Sequence, residues 1–176
     1  MRGDACVVII DGHRLAFPKG WQVLKYDDSG FHRNQFQSFA GGSKAVDAVA
    51  VSPDGECWLI EVKDYRRSRR SKPETVFSEV AGKVRATLAG LATARIRAND
   101  ADERQFCERT MRAATLRIAL HLDQPHHPSR LFKHVVDPRT ALMQLRREVR
   151  AVDPHAVCCG IGVGAARLPW SIESPE

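Results

Sequence analysis

Apolar and polar residues alternate in short runs through the first third of the chain, then recur at helical spacing through the middle. Cys6 to Ile10 and Leu15 to Phe17 are apolar runs on either side of Asp11-Gly12, a turn signal. Trp21 to Tyr26 reads as a third strand, broken by Asp27-Asp28-Ser29-Gly30. Phe31, Gln35 and Phe39 have helical spacing, but Gly41-Gly42 keeps any helix there short. Ala45 to Ser52 and Glu56 to Lys63 read as two further strands. Ser71-Lys72-Pro73-Glu74 fits a capping box, with proline tolerated in the first turn. Val76, Phe77, Val80, Val84, Leu88 and Leu91 then form one stripe, which predicts a helix to about Ile96. Gly82 and Gly90 either weaken that helix or allow close packing against it. Beyond it the pattern predicts a helix over Asp102 to Arg112, a strand over Thr115 to Leu122, a helix over Thr140 to Val152 and a strand over Ala156 to Val163. This order fits an α/β fold with a mixed central sheet.

A length of 176 residues suits a single domain, 1–176. With 43% hydrophobic and 27% charged residues, collagen, coiled coil and wholesale disorder are excluded. No apolar run approaches the ~18 residues of a membrane span. Met1-Arg-Gly-Asp4 lacks a signal peptide's apolar core, so the expectation is a cytoplasmic protein with no membrane partner. The five cysteines agree: the number is odd, Cys158 and Cys159 are adjacent, and no Cys-x-x-Cys pair supports a zinc ribbon or redox motif. Cys57, Cys158 and Cys159 read as small buried hydrophobes.

Net charge is +6, and arginine outnumbers lysine 20 to 7. That balance favours an anionic partner, nucleic acid first. Between Val62 and Lys72 stand Lys63, Arg66, Arg67, Arg69, Arg70 and Lys72 against one acid, Asp64. Without this segment the chain would be nearly neutral. A solvated loop is the plain alternative reading of such a run.

The most informative segment is the pair of strands flanking Ser52-Pro53-Asp54-Gly55. Proline second and glycine fourth suit a type I turn followed by a left-handed residue, which makes a three-residue hairpin loop. Its register pairs Ser52 with Glu56 and, counting back, Asp47 with Glu61. Opposed residues share a side of the sheet, and the two-residue period adds Lys63 to that side. Trp58, Ile60 and Val62 point the other way. Two close carboxylates repel unless they are protonated or bound to a cation, and hard oxygen ligands suit Mg²⁺ or Mn²⁺. A lysine beside them can orient an attacking water and stabilise developing phosphate charge. A cross-strand ion pair on an exposed sheet face is the plain alternative.

In Val46-Asp47, the hairpin, and Ile60-Glu61-Val62-Lys63, backed by an amphipathic helix, the chain resembles the PD-(D/E)XK nuclease superfamily over positions 44–97. The resemblance implies a restriction-endonuclease-like core, a mixed central β-sheet flanked by helices. It implies that Asp47 and Glu61 ligate Mg²⁺, with the Ile60 carbonyl as a further ligand, and that Lys63 assists the nucleophilic water. The implied function is a Mg²⁺-dependent nuclease, Mn²⁺ substituting, that hydrolyses phosphodiester bonds of nucleic acid, DNA before RNA. Arg66, Arg67, Arg69, Arg70 and Lys72 would then contact phosphates. The alternative is a non-catalytic nucleic-acid-binding subunit that keeps the fold; a homodimer, a partner ATPase or a defence-system protein would be compatible partners.

The chain departs from the superfamily pattern in two places. Val46 stands where a proline is usual, and no Glu precedes Glu56, so Asp27, Asp28 or Gln35 would have to supply any upstream acid. Glu79 and Lys83 have the spacing of a Gln-x-x-x-Tyr pattern but different chemistry; a surface i,i+4 pair is their default reading, and an accessory role at the site the other. His126-His127 reads as loop decoration. Gly160-Ile-Gly162-Val-Gly164 resembles a phosphate loop only superficially, because no Lys-Ser/Thr or helix follows.

Overall fold

A computed structural model describes residues 6–67, 70–131 and 133–175. Strand β1 (Cys6–Ile10) turns at Asp11 and Gly12, both with positive φ, into β2 (His13–Phe17). Then come β3 (Gln22–Lys25), a 3₁₀ turn over Tyr26–Asp28, one turn of π-helix over His32–Phe36, and the hairpin strands β4 (Ala48–Val51) and β5 (Glu56–Asp64). Helices α1 (Val76–Arg97) and α2 (Ala101–Met111) lead to β6 (Thr115–Asp123). Helix α3 (Pro138–Val149), β7 (Val157–Cys159) and β8 (Ser171–Glu173) complete the fold.

Five strands form the mixed sheet that the pattern predicts, in the order β3-β4-β5-β6-β7. β3, β4 and β5 pair antiparallel; β5, β6 and β7 pair parallel across helical crossovers. One difference changes the architecture. Helices cover only one face of this sheet, and the other face is covered by a second sheet, β1-β2-β8. The alternation along β1 and β2 explains this: Ile10, Leu15 and Phe17 are buried while Val7 and Ile9 are exposed, so the hairpin has an apolar face to bury. It buries that face against Ala48, Ala50, Trp58, Ile60 and Val62, with Trp170 wedged edge-on to Trp58 at 5.0 Å between ring centroids.

On the helical face, Val49, Val51, Cys57 and Leu59 meet Val80, Val84 and Leu91 of α1. The cap of α1 lies four residues later than the sequence implies. Thr75, not Ser71, accepts the amide of Ser78 at 3.1 Å, and residues 71–74 are non-helical and exposed. Gly90 is a packing residue: a Cβ there would lie 2.5 Å from Tyr26 Oη and 3.3 Å from the Phe36 ring. Gly82 has open space around it. Cys57, Cys158 and Cys159 are buried free thiols, as expected. Among the described residues no helix is long and apolar enough to cross a membrane.

Candidate functional site

The hairpin turn forms as its residues dictate. Gly55 takes φ +83, the Ser52 amide donates to the Glu56 carbonyl at 2.9 Å, and the register runs through Ala48 opposite Ile60. Asp47, one residue before β4, therefore lies across from Glu61. Its Oδ2 accepts the Val62 amide at 2.7 Å, which fixes the carboxylate at the end of the ladder. Its carbonyl accepts the Tyr26 amide at 2.9 Å, which brings the 3₁₀ turn alongside.

These residues lie on the helix-covered face of the sheet, so the site is enclosed. Asp47 is 7% and Glu61 1% exposed. Two lysines converge on Glu61 Oε1, Lys63 Nζ at 2.6 Å and Lys83 Nζ at 2.5 Å; Lys83 also reaches Asp47 Oδ1 at 3.4 Å. Glu61 Oε2 is buried with no hydrogen-bond partner among the described residues. Burial, reinforced by the Asp47 carboxylate and opposed by Lys83 and Lys63, pushes the Glu61 carboxyl up to about 7. Burial alone would lower Lys63, but Glu61, Asp47 and Glu79 outweigh it and raise its pKa.

Glu79 and Lys83 are not a surface pair. They project from consecutive turns of α1 into the site and bind different partners. Lys83 serves the two carboxylates. Glu79, 5% exposed, takes Arg70 at 2.7 Å, Lys72, and Lys63 at 3.7 Å. Burial would raise Glu79, but Lys72, Arg70 and Lys63 hold it at about 2.

Of the upstream acids, Asp28 turns outward, to Arg33 at 2.9 Å and Lys25 at 3.9 Å. Its neighbour Asp27 turns inward: its Oδ1 is buried without a partner among the described residues, and burial and the Asp47 carboxylate raise its pKa against Lys25 and Lys83. His32, buried in the π-helical turn, is lowered by burial and then by Lys83. The sequence offered no spacing signal for His32. The backbone at Ile60 belongs to the sheet, in a hydrogen-bonded pair with Ala48 by the alternation that Ser52 and Glu56 set. Val62 lies one pair beyond; the residue that would face it, Val46, sends its amide to Thr87 Oγ1 instead at 2.9 Å.

The arginine run is largely occupied within the fold. Arg66 grips Asp64 at 2.8 Å, and Arg70 and Lys72 hold Glu79. Arg67 is exposed, and Arg69 lies outside the described residues. A cavity of 660 Å³ opens at the start of α1, where Arg70 and Lys72 of this run meet Arg130, Lys133 and His134, with Glu74 and Asp137 also in its lining. The exposed His126 and His127 rings lie tilted against each other, 5.2 Å apart between centroids.

No protein-family model and no solved structure matches the chain. Among curated proteins, the chain is 27% identical over 148 residues to a cysteine–tRNA ligase from Neisseria meningitidis, a match covering 67% of this chain and 21% of the ligase. The chain thus spans about a fifth of that relative's length, and the likeness is to a piece of it.

Proposed function

We propose that the chain is a Mg²⁺-dependent nuclease of the PD-(D/E)XK kind, with Asp47, Glu61 and Lys63 as its catalytic residues. One observation carries this reading: the hairpin register sets Asp47 against Glu61, with Lys63 and Lys83 both on the same Glu61 oxygen. Asp47 and Glu61 offer hard-oxygen donors, Asp27 turns toward them, and the buried Glu61 Oε2 and Asp27 Oδ1 are acceptors that a divalent cation would satisfy. These three would hold Mg²⁺ or Mn²⁺. When bound, the ion supplies Lewis acidity toward a phosphate oxygen and lowers the pKa of water.

The chain's own residues then have distinct tasks. The Val62 amide keeps Asp47 aimed at the site. Lys63, held cationic by Glu61, orients the water and stabilises charge on the phosphate. Lys83 shares that work, and Glu79 positions Lys63, Arg70 and Lys72. The basic cavity would seat the flanking phosphates. A second reading, a non-catalytic nucleic-acid-binding subunit, draws on the burial of Glu61 beneath two lysines, which would also suit a closed structural network.

Plasmid, single-stranded DNA and RNA incubated with the protein, in Mg²⁺ and in chelator, separate the two. RNA belongs in the set because the relative's name specifies tRNA. Cleavage should require the metal, vanish in Asp47→Asn and Glu61→Gln, and fall about 10²–10³-fold in turnover in Lys63→Ala with substrate affinity in Ca²⁺ kept. Metal-dependent cleavage by folded Glu61→Gln at the wild-type rate would defeat the proposal.

A further inference from the structure

The opposite face of the central sheet carries a second cluster of side chains. His121 and Asp123 project from the end of β6 toward the small sheet, and His13 at the start of β2 meets them. All three are buried: His13 and Asp123 are 0% and His121 6% exposed. One ligand atom from each lies within 4.8 Å of the others. His13 Nε2 is 3.0 Å from Asp123 Oδ2, and His121 Nε2 is 3.0 Å from Asp123 Oδ1.

Neutral imidazoles do not satisfy this arrangement. The ring of His13 stands between two acceptors, the Asp11 carbonyl 3.3 Å from Nδ1 and the Asp123 carboxylate at Nε2. A neutral imidazole has one N–H, so either tautomer leaves a lone pair facing an oxygen; an imidazolium would satisfy both oxygens at His13 but would leave His121 Nε2 without a partner among the described residues. His121 Nε2, although close to Asp123, is off line for a hydrogen bond and has no other partner among the described residues. Its Nδ1 faces Cys159 Sγ at 3.9 Å. The nearest cation, Arg66, is 3.9 Å from Asp123 and is gripped by Asp64.

We propose that His13, His121 and Asp123 form a zinc site that ties the small sheet to the central one. A metal at the two Nε2 atoms removes the tautomer conflict, because His13 Nδ1–H then donates to the Asp11 carbonyl, the second-shell arrangement that metal-bound histidines adopt. Asp123 is oriented in the same manner, by the Ile161 amide at 2.7 Å and the Ser174 hydroxyl at 2.8 Å. Gly160 permits that approach, since a Cβ there would lie 2.3 Å from the Leu122 carbonyl and 2.9 Å from Asp123 Oδ1. Two imidazoles and one carboxylate select zinc or a similar borderline ion over Mg²⁺, unlike the all-oxygen set across the sheet. In zinc sites with three protein ligands, water is the usual fourth.

The test uses the full chain, stripped with chelator, given one equivalent of Zn²⁺ and dialysed. Elemental analysis should find one zinc per chain in the wild type and in Glu61→Gln, and none in His121→Gln or in His13→Gln. Zinc should raise the wild-type melting temperature by several degrees and leave His121→Gln unmoved. Co²⁺ in its place should give visible absorption bands that His121→Gln lacks, with Cys159→Ser retaining them. His121→Gln keeps the size and polarity of the ring's near end, and thiol counting under native conditions checks its fold. Wild type that holds no zinc after dialysis, or zinc retained in the folded double variant His13→Gln/His121→Gln, would overturn the proposal and leave the three as a hydrogen-bonded seam. Neither result bears on cleavage, which the first site carries.

Discussion

In chelator, Glu61→Gln should be more stable than the wild type above neutral pH. The Glu61 carboxyl titrates near 7 in the folded chain against an ordinary 4.5, because burial and Asp47 together outweigh Lys83 and Lys63. Between those values the folded chain holds a proton that the unfolded chain has released. Wild-type stability therefore falls as pH rises through this window and stays lower above it. At about 1.4 kcal/mol per unit, the shift corresponds to about 3 kcal/mol. Glutamine has the shape of the protonated acid and does not titrate. The difference between the two proteins should be near zero at about pH 4.5 and should favour the variant by about 3 kcal/mol by about pH 8. Glu79 and Asp123 titrate far below this window in both proteins, so they cancel in the difference. Urea unfolding across the pH range gives the curve, and saturating Mg²⁺ should stabilise only the wild type. A variant less stable than the wild type at high pH would refute the reasoning. It would mean that Lys63 and Lys83 favour the charged carboxylate more than burial penalises it.

Three further outcomes are expected. Gly90→Ala should lower unfolding free energy by about 1–3 kcal/mol, since its Cβ meets Tyr26 Oη, whereas Gly82→Ala in open space should raise it by up to ~1 kcal/mol; paired denaturation curves decide. Arg130→Ala with Lys133→Ala should weaken nucleic-acid binding for every sequence tried and lower the log–log salt slope by ~1 per phosphate contact, while Arg66→Ala, already committed to Asp64, should change the slope little. Lys83→Met should reduce turnover alongside Lys63→Ala in Mg²⁺, and single-turnover kinetics would place the loss in the chemical step.

The hairpin was legible because its information is local. Pro53, Gly55 and the two-residue period set the Asp47–Glu61 register with no help from the rest of the chain. The five strands of the central sheet and all three long helices follow from their periodicity within a few residues. What the pattern missed depends on contacts between distant segments. Glu79 and Lys83 look like an exposed pair until Glu61 and Arg70 are brought beneath them. Asp27 and Asp28 are adjacent and chemically alike, and which of them turns inward depends on how the turn docks beside Asp47 and on the Asp28 pairing with Arg33, both contacts between segments. β8 carries three residues with one apolar position, too weak a signal to declare a strand. The Ser71–Glu74 motif was locally sound, but Arg70 donates to the Glu74 carbonyl across a bend at residues 73–74, and the helix begins after Thr75.

The partnership of β2 with β8 sets an order of events on a chain being synthesised. Leu15 pairs with Ile172, so the small sheet cannot be finished until nearly all the described residues have been made. The Asp47–Glu61 hairpin closes across a three-residue loop and can form long before. Until Trp170 arrives, Phe17 and Trp58 lack the ring that fills the space between them, and Asp123 lacks the Ser174 hydroxyl. A chain ended before Trp170 would keep the carboxylate hairpin while exposing an unpaired, apolar-faced edge at β2, and would be drawn into aggregates rather than into a smaller working protein.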